Sequence, residues 1–241
     1  MRAGAPGRAA VELHGGRTTA AMRGRLLATV RHMLRLDEDL SGFYAVAAAD
    51  PELAWAAGGA GRMLRSPTVF EDVVKTVCTT NTSWSATTKM TTALVEHLGD
   101  PAPDGRRAFP SAAAMAAVEE TFYREIVRAG YRAPYLCELA DSVASGAVDV
   151  EALADPGLGD DEVAARLLAL PGIGPYGAAH VMLTSLGRYS RLVLDSWTRP
   201  TYARLAGRKT ADATIERRFR RRYGEWAGLA FWLYLTKGWV Q

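Results

Sequence analysis

The chain contains 241 residues with a formal net charge of +3 at pH 7, and 49% of its residues are hydrophobic while 23% are charged. These values predict a globular protein of one unit or two small lobes, with enough chain to bury a real core. No apolar run is long enough for a membrane span or a signal peptide, so we expect an intracellular, cytoplasmic protein. The slight positive balance permits binding to a polyanion without requiring it.

The metal chemistry of the chain is limited by its two cysteines, Cys78 and Cys137, and four scattered histidines. Two thiols suit a reduced compartment. They cannot supply the four thiolates of an iron–sulfur cluster, and no cysteine or histidine spacing is typical of a zinc site. We therefore predict no metal site.

The first twenty residues differ from the rest of the chain. Residues 1–20 are rich in Gly, Ala and Arg and lack a sustained hydrophobic period, which predicts a loosely ordered segment in front of a domain over 21–241. Apolar residues then recur at helical spacing from Thr18 to Leu36. The segment Phe70–Cys78 has the pattern of an amphipathic helix with one buried face.

Two helical patterns flank a glycine- and proline-rich stretch near 160–187. Asp160 heads an apolar periodic run that is typical of a helix capped by a carboxylate, and this helix must end at Pro171. Gly172 and Gly174 permit a tight hairpin whose backbone can approach a ligand closely, and a proline suits the first turn of the next helix. The sequence therefore predicts a helix, a hairpin and a second helix.

The predicted hairpin has unpaired backbone N–H groups between Gly172 and Tyr176. They point outward at a helix N-terminus, where the orphan donors and the helix dipole favour an anion. Because Gly172, Ile173 and Gly174 offer no groups that read base edges, we expect this anion to be a nucleic-acid phosphate, bound without regard to sequence. The alternative is an ordinary turn between two core helices.

A carboxylate follows the second predicted helix. Asp195 ends a short strand-like run, Leu192–Leu194, and precedes Ser196–Arg199. It is therefore placed to cap a helix with its oxygens turned toward the hairpin. The alternative is an aspartate whose capping role is purely structural.

A cluster of arginines lies between Arg217 and Arg222, five within six residues. Such a run is usually a solvated helix face. Contact of Arg221 and Arg222 with DNA phosphates is the equal alternative.

Aromatic residues are concentrated in the segment after these arginines. Helical spacing places most of them in the core. Aromatic rings can also form the wall of a pocket on which a nucleic-acid base stacks, and the candidates for such a base pocket are Trp197, Phe231 and Trp232.

The segments LPGIGPYGAAH, residues 170–180, and LVLDSW, residues 192–197, together resemble the signature of the helix-hairpin-helix GPD superfamily of DNA glycosylases. The resemblance covers roughly residues 35–241. It implies an all-α fold of two helical lobes with a DNA groove between them. It also implies a monomeric enzyme of base excision repair, associated with the nucleoid, that binds double-stranded DNA and flips out a damaged base to remove it.

The resemblance assigns two catalytic positions. The family's catalytic aspartate falls on Asp195, and the nucleophilic lysine of its bifunctional members falls on Tyr176, 195 − 176 = 19 residues earlier. A phenol cannot form the imine that leads to strand cleavage, so the resemblance implies a monofunctional enzyme that leaves an abasic site. Asp195 is then expected to stabilise the positive charge that develops on the deoxyribose and to orient the attacking water.

Two further motifs resemble the 8-oxoguanine branch of this superfamily. Gly130–Tyr135 is similar to a stretch whose tyrosine wedges into kinked DNA and whose arginine faces the unpaired base, which assigns these tasks to Tyr131 and Arg132. The alternative is an aromatic ring packed under a surface arginine. Asn81 matches an asparagine that fills the hole left by the extruded base. Plain capping of the next helix by its neighbours is the alternative there.

The substrate is predicted from the residues of the last helical segment. Members that read 8-oxoguanine place a glutamine and a phenylalanine on the last helical segment, and the matching positions here are Phe231 and Leu235. This departure argues against 8-oxoguanine. Because electron-rich rings attract cationic ones, we expect alkylated purines such as 3-methyladenine. Glycosylases for oxidised or mismatched bases, and a non-catalytic helix-hairpin-helix DNA-binding module, are the alternatives.

The resemblance implies no cofactor and no iron–sulfur cluster. A monovalent cation at the backbone carbonyls of the hairpin is the one bound group that it allows. Related glycosylases carry a β-rich lobe before the helical domain, and residues 1–20 are too few to form one.

Overall fold

The computed structural model describes residues 2–3, 9–13 and 18–239, and helices dominate these residues. The α-helices are α1 (Ala20–Met33), α2 (Ser41–Ala48), α3 (Val69–Thr79), α4 (Trp84–Leu98), α5 (Ala112–Ala116), α6 (Glu120–Glu125), α7 (Ala133–Ala144), α8 (Asp160–Leu168), α9 (Pro175–Val181), α10 (Thr198–Leu205), α11 (Asp212–Tyr223) and α12 (Ala227–Thr236). Two-residue strands, β1 (Arg2–Ala3) and β2 (Ala9–Ala10), pair in antiparallel orientation. The predicted all-α fold class is confirmed.

The segment predicted to be loosely ordered, 1–20, lies partly outside the described residues. Its described part contributes β1, β2 and the cap of α1, where the Thr19 hydroxyl accepts a hydrogen bond from the Met22 N–H at 3.1 Å. The helix predicted from Thr18 to Leu36 is α1. This helix is shorter than predicted at its C-terminal end, where Arg35 adopts a left-handed φ of +50° that helical backbone does not allow. No residue of α1 is buried.

Two separate hydrophobic cores divide the helices into two lobes. The central lobe consists of α3 to α9, and its core includes Val77 and Leu136. The split lobe combines α2 with α10, α11 and α12, which follow much later in the chain, around Phe43 and Phe219. Each fully buried side chain of this kind contributes about 1.5–3 kcal/mol, so each lobe has a substantial core of its own. In the part of the chain that the structure describes, no helix combines the length and apolar character needed to cross a membrane.

Helix α9 joins the two lobes. Its Ala178 and the following Met182 pack in the core of the central lobe, whereas Ala179 and Leu183 pack in the core of the split lobe. Residues four apart share one face of a helix, so two neighbouring faces of α9, about 100° apart, are buried in different lobes. The first turn of α9 is thereby fixed at the junction between them.

Beyond α9 the helix continues as a π-helical turn, Met182–Leu186. Such a turn departs from the regular helical hydrogen-bond pattern, and two arginines supply donors to its carbonyl groups. Nη2 of Arg35 donates to the Thr184 carbonyl at 2.6 Å, and Nη1 of Arg65 donates to the Ser185 carbonyl at 3.3 Å. These bonds tie the end of α1 and the segment before α3 to the end of α9.

Helix α3 has the amphipathic character predicted for Phe70–Cys78, and its C-terminal end reaches the junction between the lobes. Its inward face is buried in the central core. At its start, Thr68 accepts a hydrogen bond from the Glu71 N–H at 3.2 Å. The Glu151 carboxylate accepts the first two N–H groups of the helix at 3.0 Å each. A carboxylate at this end also complements the helix dipole, so the position of α3 is well defined.

Two local predictions near the hairpin are wrong. Helix α8 begins at Asp160, but its N-cap is Gly159 and no side chain caps it. The Asp160 carboxylate instead accepts hydrogen bonds from Arg188 Nη1 at 2.8 Å and from the Ser190 hydroxyl, because the chain returns past it after α9. Leu192–Leu194, predicted as strand-like, pairs with no strand in the described residues and lies partly in the core of the split lobe.

Candidate active site

A cleft of about 1200 Å³ lies between the two lobes. Its floor is formed by the hairpin and the first turn of α9. The central lobe contributes one wall, built from the end of α3, the start of α4 and the start of α7. The split lobe contributes the other wall, built from residues 194–199 together with Trp232 and Trp239.

The hairpin at the floor depends on Gly172. Its φ is +74°, and a Cβ there would lie only 3.0 Å from the Cβ of Tyr135, so backbone conformation and close packing both require glycine. The Ile173 side chain is buried in the central core and anchors the turn. The N–H groups of Gly172, Gly174 and Tyr176 donate to no acceptor among the described residues, so they remain available to an anion.

Carbonyl oxygens of the hairpin are also available. The Leu170 carbonyl accepts the Ile173 N–H at 3.2 Å, and the Gly174 carbonyl accepts the Ala178 N–H at 2.9 Å. The carbonyls of Gly172 and Ile173 accept no hydrogen bond from the described residues, and hard cations take oxygen ligands. These oxygens fit the cation suggested for the hairpin, which stays a prediction. Within residues 2–3, 9–13 and 18–239, no cluster of His, Cys, Asp or Glu side chains could hold a metal ion.

Asp195 lies in the wall of the split lobe, immediately before α10. Its Oδ1 accepts hydrogen bonds from the Trp197 N–H at 2.8 Å and the Thr198 N–H at 2.6 Å, which caps the turn that leads into α10; the N-cap position of the helix itself is Trp197. The residue is half-buried and lines the cleft. Its Oδ2 accepts no hydrogen bond from any described residue. Oδ1 therefore stabilises the local backbone, and Oδ2 is available to a ligand in the cleft.

Tyr176 lies in the first turn of α9 and also lines the cleft. Its hydroxyl is 3.3 Å from Oγ1 of Thr79 at the end of α3, where either oxygen can donate the hydrogen bond. Burial raises the pKa of the Tyr176 phenol; the bond to Thr79 opposes this rise, and the charge of Asp195 adds to it. The side chain is thus a neutral phenol at physiological pH.

His180 is one helical turn after Tyr176, and the sequence analysis gave it no role. The two rings stack, with centroids 5.7 Å apart and planes 25° apart. The imidazole lines the cleft, while its Nδ1 atom is buried with no hydrogen-bond partner among the described residues. Burial lowers the pKa of His180, and the charges of Asp72 and Asp195 oppose this only in part. The ring is therefore a neutral imidazole at pH 7.

Three tryptophans form the wall of the split lobe. The centroid of the Trp197 ring is 5.8 Å from that of Trp232 and 5.5 Å from that of Trp239, which are ordinary distances for interacting aromatic rings. Trp239 is 67% exposed. The prediction that Phe231 lines the base pocket is wrong. Its side chain is fully buried, 5.1 Å from the ring of Phe219, because α12 turns this residue into the core of the split lobe.

Tyr131 and Asn81 lie together on the rim formed by the central lobe. Nδ2 of Asn81 donates a hydrogen bond to the Tyr131 hydroxyl at 3.4 Å, and the tyrosine side chain is 50% exposed. Both residues line the cleft. Ser83 caps α4 by accepting the Ala86 N–H at 3.3 Å, so the capping alternative holds for a neighbour of Asn81. The DNA contacts of Asn81 and Tyr131 stay predictions.

The predicted contact of Arg132 with an unpaired base is wrong, because its guanidinium is buried. Nε donates to Oγ1 of Thr80 at 3.1 Å, Nη2 donates to the Thr80 carbonyl, and Nη1 donates to the Ala129 carbonyl at 3.3 Å. The ring of Tyr131 covers it, with its centroid 4.5 Å from Cζ. The arginine thus packs under the tyrosine ring. The alternative drawn from the sequence had the opposite order, with an aromatic ring packed under a surface arginine.

Neither Arg221 nor Arg222 lines the cleft. Nη2 of Arg222 pairs with the buried Asp50 carboxylate at 2.8 Å, and Cζ of Arg222 lies 5.5 Å from the centroid of the Tyr223 ring. Arg222 therefore supports the split lobe. Arg221 is exposed at the surface of α11, and its phosphate contact stays a prediction.

The cleft residues that were not identified from the sequence include Trp84, His180, Arg199 and Trp239. A signal existed for His180, since its spacing of four residues from Tyr176 places both on one helix face. A lone tryptophan within a polar stretch was a weaker signal for Trp84. Arg199 is held by Asp212, which accepts from its Nε at 3.0 Å.

No family model matches the chain. The chain is similar to N-glycosylase/DNA lyase OGG1 of Arabidopsis thaliana, with 30% identity over 201 residues, which cover 74% of this chain and 52% of that protein. The chain thus spans about half the length of the curated relative that it matches.

Two solved structures share the architecture of two helical lobes around a hairpin. The 8-oxoguanine glycosylase/lyase of Clostridium acetobutylicum, in its apo form, has a TM-score of 0.75 and 24% identity, and the likeness covers 89% of this chain and 75% of that chain. The 3-methyladenine DNA glycosylase of Archaeoglobus fulgidus has a TM-score of 0.73 and 22% identity, with coverage of 93% and 78%. The chain thus shares its helical fold with these two glycosylases. Its similarity in sequence to N-glycosylase/DNA lyase OGG1 and in fold to these structures agrees with the resemblance to the helix-hairpin-helix GPD superfamily of DNA glycosylases.

Proposed function

We propose that this protein is a DNA glycosylase of base excision repair, which extrudes a damaged base into the cleft and hydrolyses its N-glycosidic bond. One observation carries the proposal. The Asp195 carboxylate is fixed through Oδ1 by two backbone N–H groups, while the residue lines the same cleft as the free amides of the hairpin. A module that only holds DNA would use the amides and the hydrogen bonds to Oδ1, but it would gain nothing from the second carboxylate oxygen, Oδ2, which accepts no hydrogen bond from the described residues.

The hairpin amides and Asp195 have different tasks in the proposed reaction. The amides of Gly172 and Gly174 hold a phosphate beside the lesion. The bond between the base nitrogen and C1′ breaks, and its electron pair leaves with the base. The Asp195 carboxylate stabilises the positive charge that develops on the sugar. A water molecule then forms the new bond to C1′ and gives up a proton, with Asp195 as its acceptor.

The proposed enzyme is monofunctional. Tyr176 stands where bifunctional members carry their nucleophilic lysine, and its phenol cannot form an imine with the sugar. Burial keeps this phenol neutral. The product is therefore an abasic site in an unbroken strand.

Alkylated purines are the proposed substrates. The indoles of Trp197, Trp232 and Trp239 provide electron-rich surface, to which a positively charged base is attracted. His180, the titratable ring of the floor, is neutral and so does not repel such a base. A positive charge on the base also weakens the glycosidic bond, so modest help from Asp195 suffices.

An oxidised purine is the second candidate substrate. It is favoured by the likeness in fold to the 8-oxoguanine glycosylase/lyase of Clostridium acetobutylicum. For either substrate, the proposed partner is double-stranded DNA with one damaged base, bound by a single copy of the protein inside the cell, at the nucleoid.

The test is a base-release assay with matched duplexes that contain 3-methyladenine, 7-methylguanine, hypoxanthine, 8-oxoguanine or uracil. We expect the methylated purines to be released fastest, and we expect release to be lost in Asp195→Asn. Faster release of 8-oxoguanine would favour the second candidate. Duplex binding without release of any base would contradict the enzymatic proposal and support a DNA-holding module.

A further inference from the structure

Trp84 is the most exposed aromatic side chain on the cleft. It is the first residue of α4, it is 79% exposed, and it lies on the rim of the central lobe with Tyr131 and Tyr135. Its indole has no aromatic or hydrogen-bond partner among the described residues. A ring of this size buries about 150–250 Å² in a partner. The structure thus leaves a large, flat apolar surface at the mouth of the cleft.

The backbone that presents this ring is fixed on both sides. The Arg132 guanidinium donates to the Thr80 carbonyl and hydroxyl, four residues before Trp84. After it, the Thr87 hydroxyl donates to the buried Cys78 carbonyl at 3.0 Å, which holds the first turn of α4 against α3. A ring on such a rigid support loses little conformational freedom when a partner stacks on it.

The Arg132 guanidinium, which was expected to contact the unpaired base, is not available on the rim. All three groups of Arg132 that donate hydrogen bonds point to protein oxygens. The opposite wall, with Asp195 and the three tryptophans, takes the extruded base in the proposed function. We therefore place the complementary strand against the rim of the central lobe, where Trp84 offers an aromatic face.

We propose that Trp84 stacks on the base opposite the extruded nucleotide and that stacking alone holds this base. This inference rests on the proposed function. Every base has an aromatic face, so stacking is tolerant of sequence. The enzyme accordingly releases its substrate base with little regard to which of the four bases lies opposite.

The test uses the full chain and a duplex with a stable abasic-site analogue, so that binding is measured without catalysis. The base opposite the analogue is 2-aminopurine, whose fluorescence is quenched when it stacks. We expect Trp84→Ala to weaken binding by about 5- to 100-fold and to remove the quenching seen with the wild-type protein. Trp84→Phe keeps a ring and should retain most of both effects. Leu64→Ala is the matched control, because Leu64 is 68% exposed and lies outside the cleft.

Equal affinity and equal quenching in wild type and Trp84→Ala would overturn the inference and leave the proposed function intact. Base release that varies by more than about tenfold among the four opposite bases would also overturn it, since this equals about 1.4 kcal/mol of readout that stacking does not supply. No binding to the abasic duplex by the wild-type protein would overturn the inference and the proposed function together.

Discussion

Asp195 and Thr198 exchange two hydrogen bonds across the start of α10. The Thr198 N–H donates to Oδ1 of Asp195 at 2.6 Å, and the Asp195 N–H donates to the Thr198 hydroxyl at 2.7 Å. This reciprocal cap orients the carboxylate without the help of another charged side chain. Structural and chemical roles of Asp195 can therefore be separated by substitution.

The first prediction concerns Asp195→Asn. Asparagine caps a helix about as well as aspartate, so the midpoint of thermal unfolding should not change. Loss of the negative charge should lower single-turnover base release by about 10²–10⁴-fold, a typical range for loss of acid–base catalysis. Affinity for an undamaged duplex should stay the same.

Asp195→Ala is the companion variant. It removes the cap as well, so it should lose about 1 kcal/mol of stability in addition to activity. Asp195→Asn with wild-type rates of release would show that the carboxylate has a purely structural role.

The second prediction concerns Tyr176. Because burial keeps its phenol neutral and no amine occupies this position, incubation with damaged DNA and borohydride should trap no covalent adduct. Strands should break only after treatment with alkali. The Clostridium acetobutylicum 8-oxoguanine glycosylase/lyase serves as the positive control for trapping. A trapped adduct with this protein would mean that another amine attacks the sugar.

The third prediction separates two neighbouring arginines. Arg222→Ala leaves the buried Asp50 carboxylate without its ion pair. Since the arginine side chain is 42% exposed, the free energy of unfolding should fall by only about 1–2 kcal/mol. Arg221→Ala removes an exposed side chain and should change it by less than about 0.5 kcal/mol. Urea unfolding measures both.

The same pair tests phosphate contact. If Arg221 binds a phosphate, its loss should make the slope of log affinity against log salt less negative by about 0.9. Arg222→Ala should leave this slope unchanged, since its guanidinium is held by Asp50. Equal slopes for all three proteins would assign Arg221 to the solvated surface of α11.

The fourth prediction concerns pH. The pKa of His180 is lowered in the folded protein, so between that value and about 6.5 the unfolded chain binds a proton that the folded one does not. Stability is therefore full above pH 6.5 and falls as the pH drops toward the lowered pKa. His180→Gln cannot titrate, so its free energy of unfolding should fall less between pH 7.5 and pH 5.5. Parallel curves for the two proteins would refute this.

Local sequence signals predicted the elements whose geometry is decided locally. Glycine at position 172 and the position of Asp195 before a helix follow from backbone conformation and capping, which a few adjacent residues determine. The amphipathic pattern of Phe70–Cys78 likewise identified α3. These signals were enough for the all-α architecture and for the residues that surround the hairpin.

Side-chain direction could not be predicted in the same way. Phe231 and Trp232 are neighbours on an apolar helix, and only the packing of α10 and α11 against α12 turns the first into the core and the second into the cleft. The burial of Arg132 depends on Thr80, which is 52 residues earlier in the chain. Contacts over such a distance leave no periodic signal in the sequence.

The order in which the two walls appear along the chain has a consequence for synthesis. The central lobe is continuous in sequence, so it can fold while later residues are still being made, and it already contains the hairpin amides. The split lobe must wait for α10 to α12 to return to α2, and Trp232 and Trp239 are among the last described residues to be synthesised. Under the proposed function, a ribosome-bound chain forms its phosphate-binding amides before it forms the aromatic wall beside Asp195. On this proposal, base release can begin only after synthesis has passed α12.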